Sequence, residues 1–179
     1  KSCNPVFGRI AYRFLSSRVL RYYANSFGFN LPFGADMPVP TSPAVIPDDR
    51  YELSRTAAGF GEVKISPVHA AAIAAAVGNG GLLPRPFLVE KVIAPNGETV
   101  YEKKLQALRR IARESTTKLV SEMMVQTTLT GTSRKEFNQP NRPALPGISV
   151  SAKTGTLKGE DPYGLTNWFI ASAPTVNPV

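Results

Sequence analysis

The chain has 179 residues, 42% of them hydrophobic, which is enough to bury a core as one domain or a large part of one and excludes a disordered tail. Its 21 Lys and Arg against 13 Asp and Glu give a formal net charge of +8, which permits an anionic partner without selecting one. A single cysteine, Cys3, and a single histidine, His69, exclude an internal disulfide and leave no recognisable ligand set for a metal. There is no apolar run long enough to span a bilayer and no signal-peptide pattern at Lys1-Ser2-Cys3.

The chain opens on Ser2-Cys3-Asn4, and from Pro5 to Leu20 the positions Val6, Ile10, Phe14, Leu15, Val19 and Leu20 recur near helical spacing. This predicts one helix with Ser2-x-Asn4 at its start, where short polar side chains can project into a cleft. In isolation Ser2 and Asn4 read as a helix cap, a common use of both residue types. Residues 31–49 hold five prolines, Pro32, Pro38, Pro40, Pro43 and Pro47, with few periodic apolar positions, and predict an extended surface loop able to cover one side of a site.

Gly59-Phe60-Gly61-Glu62 leads through Ile65-Ser66-Pro67 into an Ala-rich helix from Ser66 to Asn79, with Pro67 in its first turn and a stop at Asn79-Gly80-Gly81. At about fourteen residues it is too short to cross a bilayer. His69 lies in this helix with no acid or nucleophile motif beside it, and is read as a helix residue rather than a general base. Residues 87–93 and 98–102, joined by Ala94-Pro95-Asn96-Gly97, predict a β-hairpin within 84–102. Segments 1–83 and 103–132 are otherwise expected to be mainly helical. Within the second, an amphipathic helix from Ser115 to Leu129 has Ser115 as N-cap, Leu119, Val120, Met123 and Met124 along its length, and Gly131 as its stop. The polar stretch Ser133 to Pro146 then leads into strands within 146–174.

The first of those strands carries Lys153-Thr154-Gly155-Thr156 after the alternating Ile148-Ser149-Val150-Ser151; the second is Asn167-Trp168-Phe169-Ile170-Ala171, whose Trp168 and Phe169 are read as core. An ammonium, two hydroxyls and an unobstructed backbone at successive strand positions form a rail suited to a carboxylate. Alone, Lys153 reads equally as an exposed strand lysine. A known three-part pattern asks, in chain order, for a Ser-x-x-Lys carrying a nucleophile, a Ser-x-Asn and a Lys-Thr-Gly. Ser2-Cys3-Asn4 and Lys153-Thr154-Gly155 supply the last two. The only Ser-x-x-Lys, Ser115-Thr116-Thr117-Lys118, follows Ser2 instead of preceding it, out of order for the nucleophile.

With these motifs, the Gly59 to Glu62 segment, the Ala-rich helix, the helix ending at Gly131-Thr132 and the run Trp168 to Pro174, the chain resembles the transpeptidase domain of the penicillin-binding proteins nearly end to end. The resemblance implies an α/β (α+β) fold, a partial penicillin-binding and β-lactamase-like arrangement of a helical region and antiparallel strands, with residues 1–179 an incomplete transpeptidase domain. It implies acyl transfer from a D-Ala-D-Ala stem peptide through a serine acyl-enzyme, interception by β-lactams, and no cofactor or metal. Ser2 would relay a proton, Asn4 would bond the substrate amide, Lys153 would hold the field favouring the relay, and Thr154 and Thr156 would bond the carboxylate. Gly155 would leave room for the ligand, and the Thr156 N–H would serve half of an oxyanion hole.

The nucleophile is expected outside these residues, so the fragment alone is expected to be inactive. An edge of the Lys153 and Trp168 strands left bare is expected to pair with missing segments of the same protein or with a second copy, as a homodimer. The basic clusters are interrupted and match no nucleic-acid module, so no nucleic acid is expected. The expected location is the bacterial cell envelope, on the extracytoplasmic face of the inner membrane, with any anchor outside the chain. A D,D-carboxypeptidase, a serine β-lactamase relative, or a non-catalytic carboxylate or cell-wall binding module would keep the same rail.

Overall fold

A computed structural model describes residues 2–137, 144–160 and 163–176, which fall into two compact units. One comprises residues 5–72 and 82–111; the other comprises residues 1–4, 73–81 and 112–179. Along the described chain four helices precede four strands, and two further helices precede the last two strands, with every strand pair antiparallel, so the α+β expectation holds.

In the first unit the single helix expected over Pro5 to Leu20 is two: α1 spans Asn4–Phe14 and α2 spans Ser17–Phe27. Ser16 breaks the helix because its hydroxyl accepts from the Val19 N–H, an N-cap bond that requires the extended backbone it adopts (φ −110°, ψ 159°). Much of the expected apolar stripe stays solvent-facing, with Val6, Ile10 and Phe14 exposed and Ala11 the buried residue of α1. Helix α2 ends at Gly28, whose φ of +101° suits glycine; a Cβ there would also lie 3.1 Å from His69 Nε2.

The proline-rich stretch is more than a surface loop. Ser42, Ala44 and Ile46 are buried with the period of two of an extended chain, and Ala44 and Ile46 join Leu53 in a core lined by Leu20, Ala24 and Phe29. Asn30 stands in for a neighbouring strand: its side chain accepts from the Ala44 N–H at 2.8 Å and donates to the Ala44 carbonyl at 3.0 Å. An unanticipated helix, α3 (Arg50–Ala57), follows immediately; Asp49 caps it by accepting from the N–H groups of Tyr51 and Glu52. Arg21 braces this junction through the Ile46 carbonyl and the Asp48 carboxylate. Bonds from Ser17 and then Arg21 hold that exposed carboxyl below its ordinary value of 3.8.

The Ala-rich helix α4 spans Pro67–Gly78. His69 is buried in it, its Nε2–H donating to the Phe27 carbonyl at 2.8 Å and its ring between Phe29 and Phe33, the environment of a packed helix residue. Strand β1 (Leu82–Pro84) pairs with β4 (Ala107–Arg110), a strand within a segment expected to be mainly helical. Leu83 of β1 is fully buried, and its burial at this short pair overrides local propensity. Of the expected hairpin, only β2 (Lys91–Ile93) and β3 (Thr99–Glu102) form paired strands, and Pro84 belongs to β1. Asn96 shapes the turn by accepting from the Glu98 N–H at 3.0 Å.

In the second unit, helix α5 spans Glu114–Leu129, with Arg113 rather than Ser115 at its cap position and no side-chain cap bond; Ser115 lies inside the first turn. Its amphipathicity is the reverse of the expected one. Thr117, Ser121 and Thr128 are buried, whereas Leu119 and Met123 are exposed. A four-residue helix, α6 (Arg134–Phe137), occupies the start of the polar stretch, whose residues 138–143 lie outside the described ones. The unit ends in a two-stranded ribbon of β5 (Ser151–Glu160) and β6 (Tyr163–Ser172).

Candidate active site

The ribbon register runs without a bulge from Ser151 opposite Ser172 to Glu160 opposite Tyr163, which places Lys153 against Ile170, Thr154 against Phe169, Gly155 against Trp168 and Thr156 against Asn167. Strand alternation sets Ser151, Lys153 and Gly155 on one face and Ala152, Thr154 and Thr156 on the other. The aromatic pair is less core-like than expected: Trp168 is half-buried and Phe169 is 47% exposed, stacked on Phe137 with centroids 5.7 Å apart.

Helix α5 fixes the start of this ribbon through hydroxyls. Ser121 Oγ and Ser151 Oγ are 2.7 Å apart, Ser151 also donates to the Ser121 carbonyl at 3.1 Å, and Thr128 donates to the Val150 carbonyl at 3.1 Å. Thr175 closes the network from the end of the ribbon, within 3.2 Å of Ser151 and 3.0 Å of Ser149. Directional bonds at Val150 and Ser151 define which residues of β5 come next, because a one-residue slip would send every side chain to the opposite face.

Two residues further along, the Lys153 ammonium donates to Ser2 Oγ at 3.1 Å, across 151 positions of sequence, and also to the Thr154 carbonyl. Among the described residues no carboxylate lies within ion-pair distance of this half-buried ammonium. Its charge is therefore directed at a hydroxyl and a carbonyl, and is not neutralised by an internal acid. Asn4 stands two residues after Ser2, exposed at the first position of α1.

The rail hydroxyls each have a neighbour that sequence inspection missed. Thr132 Oγ1 lies 2.7 Å from Thr154 Oγ1, and Thr156 Oγ1 donates to Asn167 Oδ1 at 3.1 Å. Gly131-Thr132 was visible only as a helix stop, since nothing local specifies which strand residue the Thr132 hydroxyl meets. Gly155 has no positive φ, and a Cβ built on it would reach no closer than 3.4 Å to Trp168 Cβ, so neither backbone conformation nor internal packing demands glycine here. Ser115 makes no hydrogen bond to Ser2 or Lys153 among the described residues.

The chain belongs to the penicillin-binding protein transpeptidase domain family, whose model matches residues 1–179. Among its relatives, the peptidoglycan D,D-transpeptidase PbpA of Mycobacterium tuberculosis is 31% identical over 99% of this chain and 35% of its own length. Stage V sporulation protein D of Bacillus subtilis is also 31% identical, over 99% of this chain and 27% of its own. The chain thus spans about a third of the curated relatives it matches. Among solved structures, penicillin-binding protein A from M. tuberculosis as its imipenem acyl-enzyme superimposes with a TM-score of 0.83 at 28% identity, over 99% of this chain and 39% of that one. The D,D-transpeptidase domain of a peptidoglycan glycosyltransferase from Eggerthella lenta gives 0.82 at 28%, over 99% and 44%.

Proposed function

We propose that these residues form the substrate-holding and proton-relay part of a serine D,D-transpeptidase that cross-links peptidoglycan stem peptides, and that residues 1–179 are an incomplete transpeptidase domain. The observation that carries this reading is the bond from Lys153 to Ser2, which joins two motifs 151 residues apart in a chain belonging to this family. The nucleophilic serine of a Ser-x-x-Lys outside these residues attacks the penultimate D-Ala carbonyl. The carbonyl π pair moves onto oxygen, then returns as the terminal D-Ala leaves with a proton. An amine of a neighbouring stem attacks the acyl-enzyme and releases the serine.

In this scheme Ser2 passes the proton between the lysine of the absent motif and the leaving amine, and the Lys153 charge favours each transfer by stabilising developing negative charge on Ser2 Oγ. Asn4 bonds the substrate amide. Thr154 and Thr156 bond the terminal carboxylate, and the space above Gly155, which the chain itself leaves unfilled, admits the ligand backbone. The Thr156 N–H forms half of the oxyanion hole, a donor whose loss would cost about 3 kcal/mol, or roughly a hundredfold in rate. β-Lactams would be attacked by the same serine. The site would work at the extracytoplasmic face of the inner membrane, and the free edge of the ribbon would pair with other segments of the same protein or with a second copy.

The test is labelling by a fluorescent penicillin. The full-length gene product is expected to acquire one covalent label, and residues 1–179 alone none. An unlabelled full-length protein refutes the enzyme reading, and a stable adduct on the isolated chain would make Ser115 the nucleophile to examine.

A further inference from the structure

We propose that Thr132 is a positioning residue of the rail: its hydroxyl donates to the Thr154 oxygen and so turns the Thr154 hydrogen toward the anionic group of the ligand. The proposal rests on the transpeptidase reading above and adds to it a residue outside the Ser-x-Asn and Lys-Thr-Gly motifs. The two oxygens are 2.7 Å apart, the optimum for a hydroxyl–hydroxyl bond, and in that bond alone either could be the donor. The ligand removes the ambiguity. A carboxylate only accepts, and a threonine hydroxyl has one hydrogen, so Thr154 can serve an anion only when its own oxygen is the acceptor from Thr132.

The second rail hydroxyl, that of Thr156, must first turn from Asn167 Oδ1, to which it donates at 3.1 Å, before it can join Thr154 on the carboxylate. Thr154 is therefore the rail donor that meets an incoming anion first, and Thr132 decides whether it is aimed.

The backbone around Thr132 is held firmly enough for this role. A Cβ at residue 131 would lie 2.8 Å from both the Gln126 carbonyl oxygen and Thr127 Cα, so only glycine permits the tight passage off α5 that delivers Thr132. The Ser133 N–H donates to the Thr127 carbonyl at 3.0 Å and fixes the far side of the turn. Thr128 ties the same helix end to the Val150 carbonyl, so the turn and the strand carrying Thr154 move together.

The experiment compares acylation rates of the full-length protein by a penicillin and by its methyl ester, which lacks the anion. Thr132→Val keeps shape and removes the donor. It is expected to slow acylation by the free acid about tenfold and leave the ester unchanged, while Thr132→Ser stays within about threefold of wild type on both. With a D-Ala-D-Ala peptide the Val variant should raise KM with little change in kcat. The acid-to-ester ratio within one preparation is independent of the folded fraction, so a partly unfolded sample still reports; if Thr132→Val does not fold, Thr132→Ala is read in the same way. Equal losses on acid and ester, no loss on either, or a Ser variant as poor on the acid as the Val variant would overturn the proposal. If wild type is labelled and the ratio does not move, this inference alone fails; if wild type is not labelled by the free acid, the transpeptidase reading fails and takes it along.

Discussion

In the unit of residues 5–72 and 82–111, an apolar cluster packs Leu53, 1% exposed, with Ala44 and Ile46 against Leu20, Ala24 and Phe29. Across the α5 and β5 contact of the other unit the same structural task falls to hydroxyls: Ser121, Ser151, Thr128 and Thr175 are bonded to one another or to backbone carbonyls. The two solutions differ in what they specify. Apolar burial is strong and non-directional, and tolerates small shifts in alignment. Hydrogen bonds contribute less per group but specify donor, acceptor and angle, which is what a strand two residues away from a chemical group requires. Apolar packing at Leu53 thus serves stability, and the hydroxyl contacts of α5 with β5 serve alignment.

That division is open to direct attack in the full-length protein. The largest effect is expected from Lys153→Ala, which should lower penicillin acylation by about 10² to 10⁴. Its melting temperature should stay within about 2 °C of wild type, since a partly exposed strand lysine contributes little to folding. Leu53→Ala should do the converse, losing about 2–5 kcal/mol in denaturant unfolding while acylation of the folded fraction is retained. A Leu53 variant inactive though folded would break the comparison.

Ser151→Ala lies between them. It strands the buried Ser121 hydroxyl and should cost about 1–3 kcal/mol, with a measurable fall in acylation as β5 loses its alignment. The Ser121→Ala and Ser151→Ala double variant should cost less than the sum of the two, because each single change already breaks the shared bond. Asp49→Ala, which uncaps α3, should cost about 1 kcal/mol with no catalytic consequence, by thermal melting and labelling respectively.

The smallest effect concerns Asp48. Its carboxyl is held below 3.8 in the folded chain by Ser17 and Arg21, so its contribution is complete above that value and disappears as pH falls through the lower folded value. Asp48→Asn should therefore shallow the acid limb of the stability profile, and on so exposed a group only slightly.

The candidate site was legible in the sequence because its short motifs, weak one by one, stand in a fixed chain order. Ser2-x-Asn4 and Lys153-Thr154-Gly155-Thr156 meet as their chain order suggests, at least for Ser2 and Lys153. The supporting hydroxyls were not legible. Helix α5 shows Leu119, Val120, Met123 and Met124 to any hydropathy reading, yet Thr117, Ser121 and Thr128 face inward, because a hydroxyl with a partner can be buried and no local signal announces the partner. Helix α3 carried a usable signal in Asp49 followed three residues later by Glu52, obscured by the prolines before it. The break at Ser16 was equally local, but the continuing stripe of Val19 and Leu20 outweighed it. Strands β1 and β4 are three and four residues long, too short for periodicity to register, and exist because pairing buries Leu83.

The bond between Lys153 and Ser2 also sets a schedule. A ribosome delivers residue 2 first and needs roughly 8–30 s to reach a partner 151 positions on, at the usual elongation rates. Until then the Ser2 hydroxyl has no ammonium to meet. The entropic toll of closing so long a loop grows only logarithmically with its length, so the delay is a matter of timing more than of energy. A chain broken off by a premature stop anywhere before β5 would lack the Lys153–Ser2 bond however well its earlier residues had folded, and the topology itself thus withholds the pair from unfinished copies.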